Sequence, residues 1–183
     1  MLKLVHASNI GVGSVIDYYN SYKIKSELNS CTVSTIIEDK NTYLDRVMFS
    51  FECLYYLIDD YNSDYIIGHA SIEDSCLIDY HLKEHNHGHV AYAIRPLERK
   101  KGYGSLLLNL IIEKCIESGM KEICVSCYED NIGSRKIIEK NGGIFDGKWV
   151  SELDKKIALK YFINLNSKVK VDFLKCRINK TIY

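Results

Sequence analysis

The sequence predicts an α/β fold of the mixed α+β type, in which a β-sheet carries helices on its faces. Two aromatic and β-branched runs, 51–58 and 65–72, flank a polar turn cluster at 59–64, which is typical of an antiparallel hairpin. Further along, apolar runs of strand length alternate with segments of helical periodicity, as in strand–helix–strand units. A chain with both kinds of connection is expected to build a mixed sheet.

The other elements follow from the same patterns. Besides the hairpin, the apolar runs predicted as strands are 2–5, 89–94, 123–128 and 157–165. The segments predicted as helices are 12–28, 41–49, 105–118 and 132–140. Gly119 is expected to stop the third of these helices, and Asp130 or Asn131 to cap the fourth before Gly142 and Gly143 end it.

Length, charge and hydrophobic runs limit the classes of protein to which this sequence is expected to belong. The 183 residues, which suit one domain with a single core, include 24 basic and 24 acidic side chains, so the formal net charge is zero. Neither nucleic acid nor an anionic membrane is then an expected partner. Because no apolar run approaches the length of a membrane span and no secretory signal follows Met1, we expect a cytoplasmic protein.

The cysteines and histidines give no metal site. The seven cysteines are scattered in apolar surroundings and are expected to be reduced packing thiols. Cys124 and Cys127 have CxxC spacing, but they lie in a predicted strand, where positions three apart face opposite sides. A histidine cluster has no carboxylate or cysteine that completes a ligand set, and its members are His81, His85, His87 and His89. We expect no bound metal.

The stretch 94–105 carries the residues that point to chemistry. Gly102 and Gly104 let the backbone turn tightly and approach a ligand, while the first N–H groups of the following helix attract anions. Three consecutive cations at 99–101 add positive charge, so a phosphate or diphosphate ligand is expected. The spacing matches neither the Walker loop nor the dinucleotide fingerprint. An ordinary helix start beside solvated basic residues remains the alternative.

Two motifs identify a family resemblance. Arg99-x-x-Gly102-x-Gly104 resembles the acyl-CoA signature of GNAT acetyltransferases, and 130–143 is similar to the strand end and helix in which an Asn-x-x-Ser pair contacts the cofactor. The resemblance is close over 88–145, looser over 51–87 and 155–165, and is nearest to a subgroup of bacterial N-acetyltransferases. It implies a central, mostly antiparallel mixed sheet with helices on both faces. It further implies one domain over 1–183, best matched over 51–165, with an extension at 166–183 that could add an edge strand.

The resemblance also implies how acetyl-CoA binds as a co-substrate. Backbone amides of 99–105 would hold the CoA diphosphate, and the strand ending at 94–95 would pair with the pantetheine arm in a cleft beside the strand 123–128. Asn131 would contact the arm and Ser134 the adjoining part of the cofactor, although a helix cap and an exposed first-turn residue are the alternatives. The implied cofactor residues are Ile94, Arg95, Arg99, Lys100, Lys101, Gly102, Tyr103, Gly104, Ser105, Asn131 and Ser134.

The catalytic residues implied by the family are not all present. Ile138 stands where many relatives have a tyrosine acid, and Ser126 where some have a glutamate base. His89 at the start of a strand is a candidate base, because imidazole titrates near neutral pH, although a polar residue at the strand edge is the favoured alternative. Tyr128 and Tyr92 are candidate proton donors, with aromatic packing as the alternative for each.

The resemblance therefore implies an N-acetyltransferase that moves an acetyl group from acetyl-CoA to a primary amine by direct attack in a ternary complex. A protein N-terminal or lysine acetyltransferase and a catalytically silent acyl-CoA-binding module remain alternatives. The acidic segment 59–84 would suit a cationic acceptor, but a solvated turn and loop is the favoured explanation. The expected partners are acetyl-CoA and an amine, without nucleic acid or membrane. Whether the protein is a homodimer stays open.

Overall fold

A computed structural model describes residues 1–22, 53–72, 88–151 and 155–166. Its strands are β1 (Leu2–His6), β2 (Cys53–Asp59), β3 (Asn62–Ile72), β4 (Val90–Ile94), β5 (Glu122–Tyr128), β6 (Ile144–Val150) and β7 (Ile157–Asn164). The α-helices in these ranges are α1 (Val12–Asn20), α2 (Tyr103–Glu117) and α3 (Ile132–Lys140). The helix predicted over 12–28 ends at Asn20, because Ser21 and Tyr22 are described and are not helical. Residues 23–28, the predicted helix at 41–49 and the tail 167–183 lie outside the described residues.

The first sheet has the strand order β1-β2-β3-β4, and every neighbouring pair is antiparallel. The predicted hairpin is confirmed, since Cys53 pairs with Ile72 and Tyr55 with Ala70. Helix α1 packs on one face through Tyr18 and Tyr19, and α2 packs on the other face through Leu107 and its neighbours. Helices thus cover both faces of this sheet, as the sequence predicts.

The second sheet has the order β5-β7-β6 and is also antiparallel. Its edge strand β6 is not among the strands that the sequence analysis predicts. The sequence of β6, IFDGKWV, places Gly147 between two charges, and a register shift between Phe145 and Gly147 breaks the alternation. The apolar side chains of Ile144, Phe145 and Val150 are exposed, so the strand lacks the buried pattern from which strands are recognised.

The two sheets meet where β4 and β5 begin. His89 donates its backbone N–H to the carbonyl of Cys124 at 2.8 Å, and Cys124 donates its own N–H to His89 Nδ1 at 2.8 Å. Beyond this contact, the described residues of β4 and β5 form no common ladder. The expected mixed sheet is therefore divided into two antiparallel sheets, with a gap between β4 and β5 that is closed at the His89 end.

Helix α2 forms the centre of the larger core. Leu107, Leu108, Ile111 and Ile112 are at most 1% exposed and pack against residues of both sheets. Burying each such side chain contributes about 1.5–3 kcal/mol, so this helix holds the two sheets together. None of the described helices is long and apolar enough to cross a lipid bilayer.

Candidate functional site

The loop after β4 ends in a helix start whose geometry depends on positive φ angles. Lys100 has φ 64° and Gly102, the residue before α2, has φ 88°. The first N–H of α2 to bond within the helix is that of Leu106, which donates to Gly102 O at 3.3 Å. The preceding N–H groups, at 103–105, lie at the positive end of the helix dipole, where an anion is favoured.

The three cations of the loop have different environments. Arg99 is exposed, and its Nε donates to Ile94 O at 3.2 Å. Lys101 donates to Glu98 at 2.9 Å, and Glu98 also accepts a hydrogen bond from Tyr65 OH at 3.0 Å. The charge of Lys101 is thus compensated within the loop, and Arg99 and Lys100 supply most of its net positive charge.

Arg95 turns its side chain away from the loop. The residue is 4% exposed, its Nε donates to Ile66 O at 2.7 Å, and Nη2 lies 3.0 Å from a carboxylate oxygen of Asp17. The guanidinium also lies over the rings of Tyr65 and Tyr18, at 4.3 and 5.4 Å from their centroids. This side chain ties the end of β4 to β3 and α1, so only the backbone of Arg95 is placed to meet a ligand.

The edge of β4 that faces the gap is set by its pairing with β3. Arg95 N–H donates to Ile67 O at 2.8 Å, and β4 continues in register with β3 from Ile94 opposite Gly68. Hydrogen-bonded and non-hydrogen-bonded pairs alternate along an antiparallel ladder. Tyr92 and Ile94 therefore direct their N–H and C=O groups away from β3, towards β5. An extended ligand in the gap would find strand-like partners there.

The opposite wall of the gap comes from the start of α3. Asn131 caps this helix, as one of the two predicted caps, because its Oδ1 accepts from Ser134 N–H at 3.0 Å. Ser134 Oγ lies 2.9 Å from Tyr92 OH. Burial raises the pKa of Tyr92 well above its usual range. The hydroxyl of a β4 residue thus reaches across to α3.

Gly104 has a packing role that the motif alone does not reveal. A Cβ built on this glycine would lie 2.7 Å from Ile137 Cδ1, so the absent side chain lets α2 approach α3. Ser105, the next residue, accepts a hydrogen bond from the Asn141 amide at 3.3 Å. In contrast, nothing lies within 4 Å of a Cβ built on Gly102. Glycine is favoured at this position because its φ angle is positive.

The candidate catalytic residues are not brought to one point. His89 lies at the closed end of the gap, and its Nδ1 lone pair accepts from Cys124 N–H, which leaves the proton of a neutral ring on Nε2. Tyr128 lies at the far end of β5, with Lys156 Nζ 5.2 Å from its ring centroid. Ile138 is fully buried in the core and Ser126 is half-buried on β5 opposite Lys160.

Two further predictions concern segments that are only partly described. His81, His85, His87 and residues 73–84 of the acidic segment lie outside the described residues. In the part that is described, Asp59 lies 3.2 Å from the N-terminal ammonium group and Asp60 lies 2.6 Å from Lys3. No set of three or more histidine, cysteine, aspartate or glutamate side chains is arranged to hold a metal within the described ranges.

Comparisons with known proteins agree with the motifs. Residues 21–143 match the sequence model of the acetyltransferase (GNAT) family. No curated protein is a significant sequence match. Among solved structures, spermidine N-acetyltransferase from Vibrio cholerae, in complex with CoA and spermine, has a TM-score of 0.70 at 16% identity over 90% of this chain and 96% of its own.

Two other solved structures share the fold at a similarly low sequence identity. Ribosomal-protein-S5-alanine acetyltransferase from Vibrio fischeri has a TM-score of 0.67 at 15% identity, covering 91% of this chain and 93% of its own. An N-acetyltransferase from Staphylococcus aureus Mu50 has a TM-score of 0.61 at 16% identity, covering 90% of this chain and 99% of its own. At these identities the likeness is one of fold.

Proposed function

The chain belongs to the acetyltransferase (GNAT) family, and from this premise we propose that it transfers an acetyl group from acetyl-CoA to a primary amine by direct attack in a ternary complex. The observation that carries the proposal is the junction of β4 and α2. There, a basic loop and a helix N-terminus follow a strand whose outward backbone groups are not paired with β5 in a ladder.

The binding roles divide along this junction. The backbone amides of 99–105, with the charges of Arg99 and Lys100, would hold the CoA diphosphate. The pantetheine arm contains amides, and it would pair with the backbone of Tyr92 and with the N–H of Ile94 as an added strand does, while the Ile94 carbonyl accepts from Arg99 Nε. Asn131 and Ser134 would contact the arm from the α3 side, where their hydrogen bonds already order the first turn of the helix.

Acetyl transfer needs three further provisions: a neutral amine, a donor for the oxyanion and a proton for the thiolate. We infer that a β4 backbone N–H facing the gap is the oxyanion donor. His89 remains a proposed proton-transfer group, but to act as a base at Nδ1 it must first release Cys124 N–H. Tyr128 remains a proposed donor from the β5 side.

The acceptor is proposed only as an amine-bearing molecule. Two of the structural neighbours are described as acting on spermidine and on the alanine of a ribosomal protein, so small polyamines and protein N-termini both belong in a screen. Asp59 and Asp60 are engaged by the N-terminus and Lys3, so they give little support to a cationic acceptor site at that turn.

Binding can be tested before any acceptor is known. Acetyl-CoA at about a hundredfold excess over its dissociation constant should stabilise the folded protein by about 2.7 kcal/mol, seen as a rise in melting temperature. Arg99→Glu should abolish most of this rise by placing a negative charge beside the diphosphate. Gly104→Glu is a poorer test, since its side chain would also collide with Ile137.

Lys121→Glu is the matched control. It makes the same change of charge at an exposed position beyond the other end of α2, so the rise should persist. The proposed function fails if wild-type protein shows no rise, or if both variants respond as the wild type does.

A silent acyl-CoA-binding module is the second candidate. Its support is Ile138, which is buried in the core and offers no proton. A rise in melting temperature without release of CoA thiol in any amine assay would favour that module over the enzyme.

A further inference from the structure

We propose that Tyr65 is a positioning residue, which holds the loop between β4 and α2 in the shape that binds the CoA diphosphate. The inference rests on the proposed function, because it concerns how tightly acetyl-CoA binds at that loop. It begins from a triangle of three contacts that joins Tyr65 on β3 to Arg95 and Glu98 at the start of the loop.

The triangle uses both ends of the tyrosine side chain. The guanidinium carbon of Arg95 lies 4.3 Å from the centroid of the Tyr65 ring, within the range of a cation–π interaction. The Tyr65 hydroxyl donates to Glu98 Oε1 at 3.0 Å, and the backbone N–H of Glu98 donates to Arg95 O at 2.8 Å. The turn at 96–98 is therefore held against β3 by side-chain contacts as well as by backbone contacts.

The segment of β3 that carries Tyr65 is irregular, and Arg95 is fixed to it twice. The pairing of β3 with β2 shifts register on either side of Ile58, as is typical of a β-bulge. Ile66 O accepts from Arg95 Nε at 2.7 Å, and the next carbonyl, that of Ile67, accepts from Arg95 N–H at 2.8 Å. Since Arg95 is 4% exposed, the first corner of the loop has a fixed place beside Tyr65.

Glu98 is a negative charge in a loop that is proposed to bind an anion. Its side chain is 14% exposed, and its carboxylate also receives the Lys101 ammonium group at 2.9 Å. Burial and the neighbouring carboxylate raise the pKa of Tyr65, so the phenol keeps its proton and remains a donor at neutral pH. Tyr65 and Lys101 thus compensate a carboxylate that would otherwise repel the diphosphate.

The same carboxylate also ties in the far side of the loop. The ion pair of Glu98 with Lys101 spans Lys100, whose φ of 64° is uncommon for a residue with a side chain. A loop that is already held in its bound shape loses less conformational freedom when a ligand binds. Removing the hydroxyl that holds Glu98 should therefore weaken binding, although Tyr65 itself need not contact the ligand.

Tyr65→Phe removes this hydroxyl and keeps the ring beside Arg95. The dissociation constant of acetyl-CoA, measured by titration calorimetry on folded protein, should rise about fivefold, the equivalent of one hydrogen bond. With an amine identified in the screen, KM for acetyl-CoA should rise similarly and kcat should stay near the wild-type value, because the loop binds the diphosphate and not the thioester. A merely structural role would lower the melting temperature and leave the dissociation constant unchanged.

A double-mutant cycle tests whether Tyr65 acts through Glu98. In the Glu98→Ala background, Tyr65→Phe should change the dissociation constant by less than about twofold, since no carboxylate is left for the hydroxyl to hold. An undiminished effect in that background would overturn the proposal.

Tyr161→Phe is the matched control. The Tyr161 hydroxyl also donates to a glutamate, Glu139, at 3.3 Å, but Tyr161 lies on β7 in the other sheet. This variant should bind acetyl-CoA as the wild type does, and an equal rise of the dissociation constant in both variants would contradict a specific role of Tyr65. If the wild type does not bind acetyl-CoA, the proposed function fails. If the wild type binds and Tyr65→Phe binds equally well, only the positioning role fails.

Discussion

At the scale of single residues, Tyr18 and His69 form a buried polar network under α1. Tyr18 OH lies 3.0 Å from His69 Nδ1, 2.7 Å from Tyr22 OH and 3.3 Å from Ala93 O. His69 is 3% exposed, and burial lowers its pKa to about 4. The network links α1 to the backbone of β4, next to the residues that face the gap.

This network predicts a pH dependence of stability. The folded state holds His69 neutral, whereas the unfolded chain takes up a proton below its ordinary pKa of 6.5. Stability conferred by the neutral ring is thus present above pH 6.5 and is lost as the pH falls towards 4. Between pH 7 and pH 4.5 the wild type should lose about 2 kcal/mol more than His69→Gln in urea unfolding.

The comparison uses the pH-dependent loss in each protein, because His69→Gln is expected to start from a lower stability at pH 7. Carboxylates contribute equally to both proteins and cancel. Identical losses in the two proteins would show that His69 is not held neutral.

At the scale of elements, the contact between α2 and α3 depends on glycine. The Cβ that Gly104 lacks would lie 2.7 Å from Ile137 Cδ1, at the end of a flexible side chain. The motif predicts that Gly104 contacts the cofactor. The close packing against Ile137 is an independent reason why a glycine occupies this position. A change there alters the helix pair as well as the start of α2.

Gly104→Ala should destabilise the protein by about 1 kcal/mol, the low end of overpacking, because Ile137 Cδ1 is the flexible end of its side chain and can move aside. Ile137→Val removes Cδ1 and should recover much of the loss in the double variant, which a double-mutant cycle in urea measures. Gly13→Ala is the control, because nothing lies within 4 Å of its Cβ in α1. It should stabilise by about 0.5–1 kcal/mol through helix propensity. Simple additivity of the Gly104 and Ile137 changes would contradict the contact.

Helices and strands could be predicted from the sequence where buried apolar residues recur with a clear helical or strand period. The hairpin, α3 and its Asn131 cap agree with the prediction, and α2 begins two residues before its predicted start because Gly102 provides the turn. Strand β6 was missed because exposed apolar residues, Gly147 and a bulge leave no such period. Near the site, the helix start was visible in the sequence, whereas the contact of Tyr92 with Ser134 joins residues 42 positions apart.

At the scale of the whole molecule, two antiparallel sheets are joined by α2 and by the contact of His89 with Cys124. That contact closes one end of the gap. Its loss would leave the N–H of Cys124, a fully buried residue, without this acceptor. The site is thus a consequence of how the sheets diverge, rather than of a single loop.

His89→Leu should lower the free energy of unfolding by about 1–3 kcal/mol, the cost of an unsatisfied buried N–H. His89→Gln keeps an acceptor and should retain more of the stability. His6→Leu is the control, because His6 Nδ1 also accepts a backbone N–H, from Ser8, but at an exposed position. Equal losses for His6→Leu and His89→Leu would contradict the role in joining the sheets.

The His89→Gln variant also tests the proton-transfer role. A fall in kcat at neutral pH with unchanged stability and acetyl-CoA binding would support it. Unchanged kcat would limit His89 to joining β4 and β5.

The sequence alone was enough to infer the order of most elements, the helix start after Gly102 and the family, because glycine spacing, charge and hydrophobic period are local properties of the chain. Only the tertiary structure decided that Arg95 points into the interior, that His89 joins two sheets, and that Tyr92 meets Ser134. Each of these contacts depends on burial and on distance between segments far apart in the chain. Neither quantity is encoded in local spacing, so the arrangement of β4 against β5 appears only once the chain has folded.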